Sequence, residues 1–320
     1  MKPETRSFYQ VAVQRALEHV VGGLDRALDL EQLARTAALS PFHFHRIFRG
    51  MVGETPLELH RRLRMERAAR ALLESDEGVT AIALGAGYDS HEAFTRAFRS
   101  LYACAPSEFR QRGRVALDGC TRPPQVELAA ASGIHHRTVS RADSEPGFAL
   151  RFVIPPFAKE ETAMNAEIKF MPPMRVATVR HVGPYNRISE AFARLHQSAA
   201  PAGLVRNKPT MLAIYHDDPE TTPEAELRSD AAIVISNDAA LPAGLGEQRI
   251  SGGRYATFVH IGPYEKLGDA WAWLMGQWLP RSGQRVGSGV SYEIYRNTPM
   301  DVPKDKLETE IYVPLADPQA

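Results

Sequence analysis

The chain has 320 residues, enough for roughly two domains that each bury their own core. Hydrophobic residues make up 44% and charged residues 24%, an ordinary composition for a soluble protein. The formal net charge of zero excludes bulk electrostatic attraction to nucleic acid or membrane, so recognition by charge must be local. The opening residues lack an apolar signal core, and no apolar run approaches the roughly 20 residues that span a bilayer, so we expect a cytoplasmic protein.

Helical periodicity dominates residues 1–112, which we assign to a first, all-α domain. Within it, "SPFHFHRIFR" from Ser40 and "SHEAFTRAFR" from Ser90 share five of ten residues. Each serine is placed to cap a helix N-terminus. Spacings of three and four residues predict two buried faces. These are Phe44, Ile47, Phe48 and Met51 in the first copy, and Phe94, Ala97, Phe98 and Leu101 in the second.

The same geometry predicts an exposed stripe on each helix, rich in arginine and hydrogen-bonding side chains. The stripes comprise Phe42, His45, Arg46 and Arg49 in the first copy, and His91, Glu92, Thr95, Arg96 and Arg99 in the second. Such a face suits the DNA major groove, where arginine bonds guanine and a carboxylate accepts from cytosine. A solvated helix surface is the alternative for one stripe alone. Two stripes at the same helical phase favour DNA reading.

Residues 113–163 are predicted to be a linker. Prolines in "TRPPQ", "SRADSEPG" and "VIPPF" interrupt helical patterns, and "FALRFVI" is compatible with one short strand. The two cysteines, Cys104 and Cys120, are too far apart for a CxxC pair, which predicts two reduced thiols.

Residues 164–320 contain a second, longer repeat. The 21 residues from Arg175 and the 21 from Arg254 share ten identities, and an offset of 80 continues the likeness between "LAIYHDD" and "YEIYRNT". The pattern predicts a strand-helix-strand-strand module present twice. Two such modules would form a pseudo-two-fold α+β domain with a groove between the copies, a usual place for a ligand.

The repeated "HVGPY" and "HIGPY" segments are predicted turns. Gly183 and Gly262 permit the sharp exit from a strand, and the prolines suit the start of the next helix. His181 and His260 invite a catalytic interpretation, but their duplication favours a structural role in both turns.

Differences between the copies point to a site. Glu293 stands where the first copy has Ala213, and strand alternation places it on the face with Ser291 and Tyr295. A carboxylate among aromatics needs a positive partner, which an apolar cation could supply. A pairing with an internal arginine, or exposure to water, is the alternative at this point.

The segment from about Val20 to Arg112 resembles the AraC/XylS family of transcription regulators. The matching motifs are the region around "SPFHFHRIFR", "ALGAGYDSHEAFTRAFRSLY" and the closing "PSEFR". The resemblance implies two helix-turn-helix units held by a long helix about one DNA turn (~34 Å) apart. By position it implies base contacts from Phe42, His45, Arg46, His91, Glu92, Thr95 and Arg96. The implied phosphate contacts are Arg49, Arg61, Arg62 and Arg99.

Residues from about Asn165 to Pro318 resemble a GyrI-like, or Rob-type, effector-binding domain through the two "GPY" turns, "YEIYRN" and "ETEIYVPL". In multidrug-sensing relatives a glutamate in the strand matching "YEIY" meets cationic lipophilic compounds, which implies Glu293 here. The resemblance also nominates aromatic ligand contacts by position: Tyr185, Tyr264, Trp271, Trp273 and Tyr295.

These observations predict a ligand-responsive regulator with two partners, duplex DNA and a small cationic, apolar effector. RNA polymerase is a further candidate partner. No catalytic, metal or cofactor motif is found: "HEAFT" lacks the second histidine of HExxH, and "GSGVSY" lacks the third glycine of a dinucleotide loop. Two alternatives stay open, a GyrI-like hydrolase of strained toxic compounds with Glu293 as general base, and a protein that passively sequesters a drug.

Overall fold

The computed structural model describes residues 3–117, 124–130, 132, 134–135, 166–205, 209–217 and 222–317. The N-terminal helices are α1 (Pro3–Gly22), α2 (Leu30–Thr36), α3 (Pro41–Val52), α4 (Pro56–Glu74), α5 (Val79–Gly85), α6 (His91–Tyr102) and α7 (Pro106–Leu117). They confirm the predicted all-α character of this region. The predicted strand at "FALRFVI" and most of the predicted linker lie outside the described residues.

Serine caps begin both repeated helices. The Ser40 hydroxyl accepts a 3.3 Å hydrogen bond from the His43 backbone N–H, and the Ser90 hydroxyl accepts one of 3.1 Å from Ala93. Each bond satisfies a backbone donor that has no partner inside its helix. The predicted cap role of both serines is confirmed.

Helix α4 starts at a reciprocal cap and packs on the second repeated helix. Thr55 and Glu58 each accept a hydrogen bond from the other's backbone N–H, which fixes where α4 begins. Its buried side packs with α5, α6 and α7. This cluster includes Met65, Ala68, Ala69, Leu72, Ile82, Ala83, Phe94, Phe98 and Phe109. The inner-face prediction for α6 holds at its phenylalanines, whereas Leu101 is 44% exposed because it lies beyond the packed stripe.

The C-terminal strands form one eight-stranded antiparallel sheet, in the order β1-β6-β8-β7-β3-β4-β2-β5. They are β1 (Glu167–Met171), β2 (Met174–Val182), β3 (Met211–Tyr215), β4 (Arg228–Ile235), β5 (Gly246–Ile250), β6 (Gly253–Ile261), β7 (Tyr292–Tyr295) and β8 (Glu308–Pro314). The helices of this region are α8 (Ser189–Ala199), α9 (Leu267–Trp273) and α10 (Leu279–Ser282), and a π-helical turn, Leu274–Trp278, joins the last two.

The sheet confirms the duplicated strand-helix-strand-strand module. One module is β2, α8, β3 and β4, and the other is β6, α9, β7 and β8. The modules meet at β3 and β7, which pair antiparallel. Two strands were not predicted: β1 pairs with β6, and β5 pairs with β2. In the chain, β1 precedes the first module but extends the second module's half of the sheet. Likewise β5 precedes the second module but extends the first module's half.

Both "GPY" turns have the same internal hydrogen bond. His181 Nε2 lies 3.0 Å from the Pro184 carbonyl oxygen, and His260 Nε2 lies 3.2 Å from that of Pro263. The intervening glycines have φ values of 127° and 140°, a region that side chains disfavour. The duplicated histidines are therefore structural parts of the turns.

The chain divides into two compact units. One contains the described residues of Met1–Gln10, Leu39–Gly50 and Ala158–Ala320, and the other those of Val11–Ala38 and Met51–Phe157. Most of helix α3 therefore belongs to the same compact unit as the eight-stranded sheet.

Candidate functional site

Glu293 lies in the middle of the sheet on β7 and is only 2% exposed. Three neutral groups donate hydrogen bonds to its carboxylate: the Trp271 indole N–H at 2.7 Å, the Tyr295 hydroxyl at 3.0 Å and the Tyr215 hydroxyl at 3.1 Å. We call these four residues the Glu293 cluster. It combines a buried acid with three aromatic rings.

The pseudo-two-fold repeat positions this cluster. Glu293 pairs directly with Ala213 across β3 and β7. Tyr215 and Tyr295 occupy the matching place in the two strands, two residues further on, and their hydroxyls lie 2.9 Å apart. Trp271 comes from α9, which packs over this face. Alternation along β7 confirms that Glu293 and Tyr295 share a face, while Tyr292 belongs to the apolar cluster on the other face.

The Glu293 carboxyl has a raised pKa. Burial is the main cause, and the hydrogen bonds from Trp271 and Tyr295, together with the charge of Arg46, act in the opposite direction. The pKa values of the Tyr215 and Tyr295 hydroxyls also lie well above their ordinary value, first because of burial. The cluster is therefore an environment that disfavours negative charge unless a cation enters it.

Two other buried carboxylates of the sheet show the contrast. Burial alone would raise the pKa of Asp230, but hydrogen bonds from His216 and Arg180 outweigh it and hold the pKa below its ordinary value. The carboxylate at the matching position of the second module, Glu310, is similarly held low by bonds that include those from Lys169 and Arg296. Each of these acids has two basic side chains at hydrogen-bond distance.

Of the predicted ligand contacts, the structure brings four to this site or its rim. Trp271 and Tyr295 bond Glu293 directly. Tyr264 packs edge-on against Tyr295 with ring centroids 5.5 Å apart, and Tyr185 packs against Tyr215 at 4.7 Å. Trp273 lies elsewhere: its indole packs at 4.9 Å on Phe258 of β6. Successive residues on a helix diverge by about 100°, so two tryptophans two positions apart face different sides.

Sequence reasoning missed Tyr215, although it donates to Glu293. A signal was present, because the offset of 80 aligns Tyr215 with Tyr295, and equivalent residues near a two-fold axis come close together. Phe192 of α8 was also missed, and its ring lies 5.7 Å from that of Tyr295.

Helix α3 contacts the same site, which corrects the predicted exposure of its stripe. The Arg46 guanidinium lies 4.3 Å from the Trp271 ring centroid and 4.5 Å from that of Phe42. Phe42 itself packs edge-on against Trp271 at 6.0 Å. His45 is 2% exposed, and Phe42, Arg46 and Arg49 are half-buried. Phe42 and Arg46 are partly covered because this side of α3 packs against Trp271 of α9. The buried face predicted for α3 is confirmed.

Helix α6 agrees better with the prediction. His91, Glu92, Arg96 and Arg99 are exposed on one side of the helix, while Thr95 is half-buried. The predicted exposure of this stripe is therefore confirmed at His91, Glu92, Arg96 and Arg99.

The two predicted phosphate contacts on α4 differ from each other. Arg61 is exposed, but the Arg62 side chain is only 10% exposed and bonds Glu54 at 2.7 Å and the fully buried Glu66 at 2.9 Å. Glu66 also accepts from the Leu128 backbone N–H. Arg62 is thus committed to neutralising buried acids and not available to a phosphate in this structure, contrary to the prediction.

Two other kinds of feature, a metal centre and a membrane-spanning helix, are absent from the described ranges. These ranges contain no group of three or more His, Cys, Asp or Glu placed to hold a metal ion. Within the same ranges, every helix is too short or too polar to span a membrane.

The fold and site define a class: helix-turn-helix proteins that carry a C-terminal small-molecule-binding domain. A helix-turn-helix domain model matches residues 33–112, and the GyrI-like small molecule binding domain matches residues 164–316. The chain belongs to the GyrI-like family, with an AraC-type helix-turn-helix domain at its N-terminal end. It is a DNA-binding transcription regulator with a small-molecule-binding domain.

Relatives resemble different parts of the chain. A DNA gyrase inhibitor of Yersinia enterocolitica is 35% identical over 130 residues, which is 39% of this chain and 82% of that protein. The probable transcriptional regulator YgiV of Escherichia coli K12 is 30% identical over 34% of this chain and 69% of its own length. The uncharacterized HTH-type transcriptional regulator YbfP of Bacillus subtilis is 36% identical over 32% of this chain, but the match spans only 35% of YbfP.

Among solved structures, the EcmrR C-terminal domain superposes with a TM-score of 0.43 at 21% identity. The superposed region is 48% of this chain and 99% of the EcmrR domain.

Proposed function

We propose that this regulator senses a lipophilic cation at the Glu293 cluster and reads duplex DNA with helices α3 and α6. One observation carries the effector proposal: Glu293 is a buried carboxylate with a raised pKa among aromatic rings, whereas Asp230 and Glu310 have basic side chains bonded to them. A cation with aromatic or aliphatic bulk would meet both the charge and the rings.

The proposed ligand contacts are Glu293, Trp271, Tyr295 and Tyr215, with Tyr264 and Tyr185 at the rim. A neutral molecule of the same shape would leave the carboxylate uncompensated in the apolar site. Selectivity for positive charge, rather than for one chemical skeleton, follows from this arrangement. RNA polymerase remains a candidate partner.

For DNA, the proposed base contacts are Phe42, His45 and Arg46 on α3 and His91, Glu92, Thr95 and Arg96 on α6. Arg49, Arg61 and Arg99 are proposed phosphate contacts. The exposed side of α6 supports the part of this assignment that lies on α6. Phosphate contacts would position the chain on the duplex, and base contacts would select the sequence.

The test begins with selection of binding sites from a random duplex library by the full chain. We expect a motif with two elements about one helical turn apart. The affinity of the full chain for this motif is then measured with and without methyltriphenylphosphonium, for wild type and Glu293→Gln. A response in wild type that Glu293→Gln loses supports the proposal. Absence of an enriched motif removes the DNA-reading role, and DNA affinity that ignores a bound cation favours passive sequestration.

A hydrolase is the second candidate, favoured by the burial and the raised pKa of Glu293, because a carboxyl with a perturbed pKa in a ring-lined site is a candidate general base. Turnover of a strained electrophile such as an epoxide, lost in Glu293→Gln, would support it. Binding of the cation without any turnover of such compounds would count against it.

A further inference from the structure

We infer that helix α3 blocks the effector site, and that the Arg46 guanidinium occupies the position that an effector cation would take. We call this arrangement the plug. This inference rests on the function proposed for the Glu293 cluster. It adds that the chain carries its own competitor for that site, and that the competitor is a residue proposed to read DNA.

The first support is chemical. A guanidinium over an indole face is a cation–π contact, the same interaction that would hold an effector cation. Arg46 lies 4.3 Å from the Trp271 ring centroid, and Trp271 donates to Glu293 through its indole N–H. The positive charge of Arg46 also acts on the Glu293 carboxylate. Arg46 thus lies over the ring that a cation would use, and its charge acts on the acid.

The second support is the closeness of the packing. Gly50 of α3 lies close to the backbone of α9 and of the π-helical turn that follows it. A Cβ at Gly50 would lie 2.6 Å from Gly276 Cα, and closer still to the Ala272 carbonyl oxygen. Such a distance excludes any larger residue without a shift of the helix. The glycine therefore permits α3 to seat at the effector site.

A third contact is polar and lies beside the acid. His43 Nε2 is 3.3 Å from the Ser291 hydroxyl, and both side chains are buried. Ser291 precedes Glu293 by two residues and so lies on the same face of the sheet. Burial of a paired polar group requires a defined position of α3, because an unpaired one would be costly.

A consequence for regulation follows. In this position of α3, His45 is buried and Phe42 and Arg46 are half-buried, and all three are proposed base contacts. An effector cation that takes the place of Arg46 would release this face. Effector binding and base reading by α3 are then expected to favour each other, since ligands that select the same state are reciprocally coupled.

The experiment is a tryptophan-fluorescence titration of the full chain with methyltriphenylphosphonium, and with neutral triphenylphosphine oxide of nearly the same shape. The variants are Arg46→Ala, which removes the competing cation, and Gly50→Ala, which pushes the helix from its seat. Arg249→Ala removes an equal charge from an exposed position of β5 and is the control. Each test variant should bind the cation roughly 2- to 30-fold more tightly than wild type, the range for loss of a competing cation–π contact.

The outcomes separate the two proposals. Tighter cation binding in both test variants, with Arg249→Ala unchanged, supports the plug. Unchanged or weaker binding in both, while Glu293→Gln abolishes binding, overturns the plug alone. An equal gain for the neutral oxide in Arg46→Ala overturns the role of Arg46 as a cation substitute. If neither wild type nor Arg46→Ala binds the cation, or Glu293→Gln binds it as well as wild type, the proposed effector function fails and the plug with it.

Discussion

Ala213 and Glu293 face each other in register across β3 and β7, at equivalent positions of the two modules. A duplicated fold would by itself give two equal half-sites around this point. Because one position holds the methyl group of Ala213 and the other the carboxylate of Glu293, there is a single charged site instead. The asymmetry of this pair therefore determines that the domain has one acid, and not two repelling acids, near its two-fold axis.

Arg96→Ala should weaken binding to a selected duplex site by about 1–3 kcal/mol and relax its sequence preference, because an exposed arginine of α6 can bond a base edge. Arg99→Ala is the matched variant, and as a phosphate contact it should weaken specific and random DNA alike. Competition binding against both kinds of duplex measures the difference. Equal loss on random DNA for Arg96→Ala would remove it from base reading.

Arg61→Ala and Arg62→Ala should separate DNA binding from stability. Loss of exposed Arg61 should lower the salt dependence of DNA binding by about one unit of slope and leave unfolding unchanged. Loss of Arg62 leaves Glu66 buried without its cation and should cost on the order of 3 kcal/mol. Urea unfolding and salt-titrated binding test the pair. A stable Arg62→Ala chain with a reduced salt slope would restore the phosphate role.

His43 makes the stability of the sheet unit sensitive to acid. Burial, with a smaller effect of Arg46, lowers the pKa of His43 from 6.5 to about 4. A folded-state pKa below the unfolded value means that this contribution is complete above 6.5 and is lost as the pH falls toward 4.

His43→Gln tests that contribution. It should flatten the decline of the free energy of unfolding over this window, whereas His19→Gln, at an exposed histidine of α1, should leave the decline as in wild type. Urea unfolding across the window gives both slopes. A His43→Gln decline as steep as that of wild type would contradict the assignment.

Gly183→Ala and Gly262→Ala should each destabilise the fold by about 1–3 kcal/mol, because both turns hold a positive φ. Gly268→Ala is the control, since it lies in α9 with open space where a Cβ would stand, and should stabilise by about 0.4–1 kcal/mol. Thermal unfolding of the three variants measures this. Similar effects at all three positions would show that backbone conformation is not the cause.

Local patterns predicted the parts of this structure that depend on neighbouring residues. The repeats predicted both modules and both serine caps, and alternation placed Glu293 with Tyr295. The exchange of β1 and β5 between module halves was not predictable, because pairing partners distant in sequence are chosen by tertiary packing.

The same reason explains the errors at the candidate site. Helical phase predicts which side of α3 is polar, but not that the polar side lies against Trp271. The resemblance implied a phosphate contact for Arg62, but in the folded chain Arg62 bonds Glu66, which lies one helical turn away on the buried side. Tertiary contacts that cover a polar helix face form only in the folded chain, so they leave no periodic pattern in the sequence.

The most direct test of the central claim is a fluorescence titration of the full chain with methyltriphenylphosphonium and triphenylphosphine oxide, in wild type, Glu293→Gln and the exposed-site control Glu265→Gln. The account predicts that wild type and Glu265→Gln bind the cation and discriminate against the oxide. It also predicts that Glu293→Gln loses at least about tenfold in cation affinity, or about 1.4 kcal/mol. Equal binding of cation and oxide, or an unchanged affinity in Glu293→Gln, would contradict a cation sensor built on Glu293.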